Sequence, residues 1–270
     1  MSRSVYYREP KKGDDDKIKA ILLQLAEKHI RWGFDKMRDA IRYQGYQWNH
    51  KRIRRVYCEL KLNLRTKPKK RLPARERQPL LQPIKSNYCW SMDFMSDALV
   101  NGQKFRTFNV IDDFNRQGLG ILVGKSMPTN CIINYLDFIA IFRGYPEIIR
   151  TDNGPEFISK DFSKWANKHN IEIRHIQPGK PAQNGFIERF NRTYREDILD
   201  AYLFNSINEV QRITDEWLYE YNHNRPHESL KKLSPINFSR SLEGMPSSEQ
   251  LGAVVQHRQN SLDCSTLELS

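Results

Sequence analysis

The sequence has neither a long apolar run nor a cysteine-rich segment. No stretch of 18 apolar residues occurs, which excludes a membrane-spanning helix, and residues 1–16 lack the apolar core of a signal peptide. The cysteines are dispersed, so they predict neither a disulfide framework nor a CxxC zinc site. We therefore expect a reducing, cytoplasmic location. The four cysteines are Cys58, Cys89, Cys131 and Cys264.

Positive charge is abundant and unevenly distributed. The chain holds 44 lysines and arginines against 32 acidic residues, for a net charge of +12. Residues 1–85 contain 24 of those cations and 9 acids, whereas the remaining residues are slightly acidic overall. Segregation of this kind is typical of a protein that binds a polyanion, and nucleic acid is the favoured partner.

The N-terminal region, residues 1–64, is predicted to be a small all-α domain of helix-turn-helix type. Apolar residues recur at helical spacing in 17–29, 34–44 and 50–61, and Gly45 and Asn49 are suited to end the second helix and begin the third. The alternative is a small helical bundle with a basic solvent face. The third helix carries the cations expected to contact DNA, which are Lys51, Arg52, Arg54 and Arg55.

Residues 65–85 combine four prolines with many lysines and arginines, and this composition predicts an extended basic linker. Residues 86–245 follow as a second domain, and residues 246–270 show so little periodicity that we expect a poorly ordered tail.

The second domain is predicted to be an α/β fold with a mixed sheet and flanking helices. Its first part resembles an antiparallel meander because Asn101-Gly102 is a strong hairpin signal. Helices and short strands then alternate. The predicted strands are 88–100, 104–112, 118–123, 147–151 and 171–176, and the predicted helices are 129–143, 160–169, 184–200 and 206–222.

Three acidic residues stand in contexts that suggest chemistry. Asp93 lies inside an apolar strand, Asp152 ends another strand, and Glu188 lies in a helix with apolar neighbours. Three such carboxylates are able to hold two divalent cations for phosphoryl transfer, and Mg²⁺ prefers oxygen ligands. Other acids are not excluded by composition; they are Asp97, Asp112, Asp113 and Glu156.

The spacing of these acids and the surrounding motifs resemble a known family. There are 58 residues between Asp93 and Asp152, and 35 between Asp152 and Glu188. The latter interval is characteristic of the DDE triad of retroviral-integrase-like transposases. The segments WSMDF, TDNGPEF, PGKPAQNGFIERFNRTYREDIL and YNHNRPHESLKKLSPINF also match. Over about residues 30–238 the chain is similar to OrfB-type transposases of the insertion-sequence-three (IS-three) family.

The resemblance implies an RNase H-like catalytic core behind the helix-turn-helix segment. It implies that Asp93, Asp152 and Glu188 ligate two Mg²⁺ or Mn²⁺ ions. It also implies that the enzyme cuts DNA at the ends of an insertion sequence and transfers the resulting 3′-OH to another phosphodiester. DNA is then the substrate, and a homo-oligomer bridges two ends. An upstream reading frame often supplies a further module in this bacterial family. The cations expected next to the scissile bond are Lys180, Arg189, Arg192 and Arg195.

Two other readings remain open from the sequence. An RNase H-like nuclease or junction resolvase would cleave DNA without joining strands, and a DNA-binding repressor or domesticated remnant would use the helix-turn-helix alone. The triad favours an enzyme over the repressor. The motif at Arg225, Pro226 and His227 is expected to brace the site or touch DNA rather than to catalyse.

Overall fold

The computed structural model describes residues 15–64, 82–177 and 184–242, and the chain forms two compact units, Met1–Leu72 and Pro73–Ser270. Most of the predicted basic linker and the whole of the predicted tail lie outside the described residues. The boundaries at 64, 85 and 245 therefore stay predictions.

The first unit contains three helices, as predicted: α1 (Asp15–Lys28), α2 (Phe34–Tyr43) and α3 (His50–Glu59). Their apolar stripes meet in one small core, in which Leu22, Ile41 and Ile53 are fully buried. The side chain of Asn49 accepts a hydrogen bond from the backbone N–H of Lys51 (2.9 Å), so it caps α3 as expected. Gly45, with a φ of +90°, makes the turn that leads into α3.

The second unit is built on a five-stranded mixed sheet with the order β3-β2-β1-β4-β5. The predicted meander is confirmed, because β1 pairs antiparallel with β2 and β2 with β3. Two short strands extend the sheet parallel to β1 on its other side. The strands are β1 (Cys89–Ala98), β2 (Lys104–Asp112), β3 (Gly118–Gly124), β4 (Ile148–Thr151) and β5 (Glu172–His175).

Alternation along the strands divides the core between the two faces of the sheet. Trp90, Met92 and Phe108 point to one face, where they pack with α4 (Thr129–Arg143) and α5 (Lys160–Lys168). Phe105 and Ile121 point to the other face, where α6 (Gly185–Tyr194) and α7 (Ile207–His223) cover them. The catalytic candidates on β1 and α6 belong to this second face.

The close approach of α6 and α7 to β3 depends on Gly118. A Cβ atom at this position would overlap Leu218 Cδ1 and lie 2.9 Å from Phe190 Cε2, so a larger residue would force these two side chains to move. The Asn222 side chain from α7 accepts a hydrogen bond from the Gly118 N–H (2.9 Å) and donates one to the Gly118 carbonyl (2.8 Å). This buried amide fixes α7 against the edge of the sheet.

The C-terminal part of the unit differs in detail from the prediction. The helix expected over 184–200 is α-helical in Gly185–Tyr194 and continues as a π-helical turn over Arg195–Leu199. A 3-10 turn at Glu228–Leu230 and α8 (Pro235–Leu242) were not predicted. Within the described ranges, every helix is too short or too polar to cross a membrane.

Candidate active site

Asp93 lies near the middle of β1 and faces α6. Its neighbours Met92 and Phe94 point to the opposite face, so alternation alone places the half-buried carboxylate on the α6 side. The backbone N–H of Phe94 donates to Asp93 Oδ1 (2.8 Å), and Asn191 Nδ2 donates to Asp93 Oδ2 (2.8 Å). Each carboxylate oxygen therefore accepts one hydrogen bond and keeps a further lone pair.

Asp152 comes directly after β4, which is parallel to β1 and adjacent to it. Ser91 and Arg150 are the last paired positions of the two strands, so Asp93 and Asp152 lie two residues further along their respective strands, at the same level of the sheet. The Asp152 side chain is exposed, and its Oδ1 accepts a hydrogen bond from the N–H of Gly154 (3.0 Å). This turn holds the backbone of Asp152 at the carboxyl end of the strand, where α/β folds place ligand sites.

Glu188 lies in the first turn of α6 with its side chain exposed. The helix is held on the sheet by the buried residues Ile187 and Phe190. Asn191, one turn after Glu188, makes the hydrogen bond to Asp93 that ties α6 to β1. The helix thus brings Glu188 to the part of the sheet that carries the first acid.

The electrostatics of Asp93 show that the three acids share one neighbourhood. The pKa of the Asp93 carboxyl is raised to about 6, mainly by burial and also by the negative charges of Asp152 and Glu188, and the hydrogen bonds from Phe94 and Asn191 oppose this rise. None of the three forms an ion pair with a lysine or arginine in the described part of the chain. Within the described ranges they therefore form a negative site with no paired cation.

The other acids that composition left open have structural partners instead. Three of them pair with arginines, and the fourth accepts backbone hydrogen bonds. The pairs are Asp97 with Arg195 (3.4 Å), Glu156 with Arg106 (2.5 Å) and Asp113 with Arg150 (2.7 Å), and Asp112 accepts from the N–H groups of Asn87 and Phe114 (2.8 and 2.9 Å).

A divalent metal fits the chemistry of this donor set, because all three side chains offer carboxylate oxygens. Among residues 15–64, 82–177 and 184–242, no three histidine, cysteine or acidic side chains lie close enough to hold a metal ion as they stand. Asp152 and Glu188 are exposed, so their side chains are free to turn toward Asp93.

The four cations expected on α3 divide into two pairs. Arg52 and Arg55 bind the two carboxylate oxygens of Asp15 on α1, at 2.8 and 2.7 Å. Lys51 and Arg54 are exposed, and the Arg54 guanidinium lies 5.6 Å from the centre of the Phe34 ring. Sequence reasoning did not anticipate that an acid of α1 holds half of the basic face.

The cations expected beside the catalytic acids also differ in their surroundings. Arg189 and Arg192 are exposed on α6, whereas Arg195 donates to the carbonyl of Ser96 (3.0 Å) and pairs with Asp97 on β1. Lys180 lies outside the described residues. Arg195 therefore links the end of α6 to β1.

The motif at Arg225–His227 is built into the core next to α7. Arg225 is nearly buried and its Nη1 donates to Asp197 Oδ2 (2.5 Å), and the His227 ring packs edge-on against Tyr221 at 4.9 Å. Bracing is thus the role that these contacts support.

Sequence reasoning missed two asparagines beside Asp93. Asn109 on β2 is paired with Asp93 in the sheet, and its Nδ2 donates to Asn191 Oδ1 (2.7 Å). The signal was present in the sequence, because each residue is an amide at a position where the alternation or helical period calls for an apolar side chain.

The chain matches three domain families. An integrase core domain family matches residues 83–181, a second integrase core domain family matches residues 169–235, and an HTH-like domain family matches residues 13–71. A chain of the simian T-cell lymphotropic virus intasome, solved in complex with the PP2A regulatory subunit B56 gamma, superposes with a TM-score of 0.50 at 17% identity. The match covers 83% of this chain and 77% of that one, and it shows the RNase H-like fold.

Two relatives come from bacterial insertion elements. The uncharacterized 39.2 kDa protein of insertion element IS476 from Xanthomonas euvesicatoria is 39% identical over 82% of this chain, which spans 64% of that relative's length. The uncharacterized 31.7 kDa protein of insertion element IS407 from Burkholderia multivorans is 35% identical over 88% of this chain and 87% of its own length.

Fold and matched domains define a DDE-type polynucleotidyl transferase with an integrase core. The chain belongs to the OrfB-type transposases of the IS-three family. The fold class predicted from the sequence, an RNase H-like core behind a helix-turn-helix-like domain, is confirmed.

Proposed function

We propose that the chain cuts DNA at the ends of an insertion sequence and transfers the resulting 3′-OH to another phosphodiester, with Asp93, Asp152 and Glu188 as its catalytic acids. The observation that carries the proposal is the half-buried Asp93, whose pKa is raised to about 6 by burial and by the other two acids, with no cation of the described residues to neutralise it. A site of this charge is costly to the fold and suits a cationic cofactor.

The three carboxylates would hold two Mg²⁺ or Mn²⁺ ions, which supply activation of the attacking oxygen and stabilisation of the leaving oxygen. The chain's own contribution is orientation. The Phe94 N–H and Asn191 hold the Asp93 carboxylate, the Asp152 turn holds the second acid at the end of β4, and α6 carries Glu188 to them. No serine or tyrosine nucleophile is required, because the 3′-OH of DNA attacks directly.

DNA contacts are proposed for two groups of cations. Arg189 and Arg192 are exposed on the same helix as Glu188, which suits them to bind the phosphates beside the scissile bond. Lys51 and Arg54 are exposed on α3, where they suit the phosphates of an element end. Lys180, Arg52, Arg55 and Arg195 complete the proposed set, and the last three would have to exchange an internal acid for a phosphate.

The proposed partners follow from the same chemistry. Joining two ends of one element requires two sites on DNA, so we propose a homo-oligomer that bridges them. We propose that it works in the bacterial cytoplasm, with or without a module from an upstream reading frame.

A strand-joining assay tests the proposal. The full chain is incubated with labelled element-end DNA in Mg²⁺ or in EDTA, beside an Asp152→Asn variant. We expect joined product that requires the metal and is absent from the variant. Cleavage without joining would favour the nuclease reading, and joining by the variant would contradict the triad.

We expect the double substitution of Lys51 and Arg54 by alanine to weaken DNA binding and to lower the slope of log affinity against log salt by about two units, since each cation that binds a phosphate adds roughly one unit to that slope. The matched substitution of Arg52 and Arg55 should change the slope less, because these two cations already pair with Asp15 and Glu59. Fluorescence anisotropy at several salt concentrations measures both. Equal slopes for the Lys51/Arg54 variant and the unmodified protein would contradict the assignment.

A further inference from the structure

A chain of three polar side chains crosses the buried face of the sheet beneath the catalytic acids. Asn109 is fully buried on β2, directly opposite Asp93 on β1. Its Nδ2 donates to Asn191 Oδ1 (2.7 Å), and Asn191 Nδ2 in turn donates to Asp93 Oδ2 (2.8 Å). We call these three residues the amide relay.

The chemistry of the groups fixes the direction of the relay. An ionised carboxylate only accepts hydrogen bonds, so Asn191 must turn its NH₂ group toward Asp93. Its carbonyl oxygen then faces Asn109, which must donate. The Asn109 carbonyl oxygen is buried and has no hydrogen-bond partner among the residues that the structure describes.

This arrangement is unfavourable for the fold alone. On the same face of β2, Phe105 and Ile111 belong to the apolar core, and the small buried Thr107 lies between Phe105 and Asn109; a leucine at 109 would continue the apolar surface from Ile111. A buried amide with an unsatisfied oxygen lowers stability relative to an apolar group of similar shape. A polar residue kept at such a position points to a role in the site rather than in packing.

We infer that Asn109 and Asn191 are positioning residues of the strand-transfer site, with Asn109 locking the amide of Asn191 and Asn191 holding the Asp93 carboxylate for its divalent metal. The inference rests on the proposed function. Asn191 also lies one helical turn after Glu188, so the same hydrogen bond sets the position of α6 relative to β1. Partners that orient metal-binding carboxylates in this way affect metal affinity strongly.

The test compares Asn109→Leu, Asn191→Leu and the double variant with the unmodified full chain. Free Mn²⁺ is titrated and followed by its electron paramagnetic resonance signal, and strand joining is measured against Mg²⁺ concentration. We expect each single variant to raise the metal concentration at half-saturation about 10–100-fold. The double variant should be no worse than Asn191→Leu, because Asn109 acts only through Asn191.

Two controls separate positioning from folding. The double variant replaces both amides by apolar groups, so neither amide is left orphaned and only the half-buried Asp93 Oδ2 loses a donor; its melting temperature should be no lower than that of Asn191→Leu. Asn134→Leu, an exposed amide on α4 across the sheet, should leave both readouts unchanged. An unchanged half-saturation in Asn109→Leu, or effects of the two single variants that multiply, would overturn the inference. The Mn²⁺ titration does not depend on strand joining, so failure of the proposed function would be seen separately, as an unmodified chain that joins no strands.

Discussion

A variant with asparagine in place of Asp93 is expected to bind DNA with nearly unchanged affinity and to cleave and join no strands. The substitution keeps the shape of the side chain and removes the charge that interacts with those of Asp152 and Glu188. Binding should persist because the exposed cations of α3 and α6 are untouched. Gel-based cleavage and joining assays, with binding measured in parallel, check both parts.

The same variant should also alter stability in a pH-dependent manner. The pKa of Asp93 is raised to about 6 in the folded chain, above the ordinary value of 3.8, so the folded state favours the proton. The destabilisation of the folded state by the Asp93 charge is absent near pH 4, grows as the pH rises, and reaches its full value above about pH 6. The melting temperature of Asp93→Asn minus that of the unmodified, metal-free protein should therefore be more positive at pH 8 than at pH 4.

Asp97→Asn supplies the matched control. It removes an acid of the same strand that pairs with Arg195 and is not one of the three proposed catalytic acids. We expect it to retain metal-dependent joining. Cleavage or joining by Asp93→Asn would show that Asp93 is not a required catalytic acid. A stability difference that does not change between pH 4 and pH 8 would show that the Asp93 charge does not destabilise the folded state.

The site was predictable from the sequence to the extent that it depends on strand ends and spacing. Asp93 within an apolar strand and Asp152 after another could be placed on one sheet, because a parallel neighbour brings its carboxyl end to the same edge. The hydrogen bond that joins Asn191 to Asp93 spans 98 residues, and no local pattern specifies such a pairing. In the sequence, Asn109 and Asn191 stand out only as polar residues at positions where an apolar side chain is expected.

The helix-turn-helix region shows a similar division. Periodicity predicted α1, α2 and α3, and Asn49 was a recognisable cap. The basic character of α3 was also plain, yet the pairing of Arg52 and Arg55 with Asp15 depends on how α1 packs across α3. Charge patterns on one helix do not reveal which cations a neighbouring helix neutralises.

Removal of the Arg225 guanidinium is expected to lower the free energy of unfolding of the second unit by about 3–5 kcal/mol, because it leaves the Asp197 carboxylate buried without its cation. The two side chains are only 10% and 14% exposed, and they meet at 2.5 Å. Asp197 lies in the π-helical turn that follows α6, and its Oδ2 also accepts from Trp217 Nε1 (3.2 Å). Urea unfolding of Arg225→Ala, followed by tryptophan fluorescence, measures the effect.

An exposed pair of the same chemistry provides the comparison. Arg212 and Glu216 on α7 meet at 2.7 Å with both side chains about two-thirds exposed, so Arg212→Ala should cost only about 0.3–0.5 kcal/mol. A double variant, Arg225→Met with Asp197→Leu, should recover much of the stability, since it removes both buried charges. If Arg225 braces the fold, the double variant Arg225→Met with Asp197→Leu should show the same salt dependence of DNA binding as the unmodified protein. A fall in that slope without a decrease of stability in Arg225→Ala would instead assign Arg225 to a phosphate, which would make the segment after α7 part of the DNA surface.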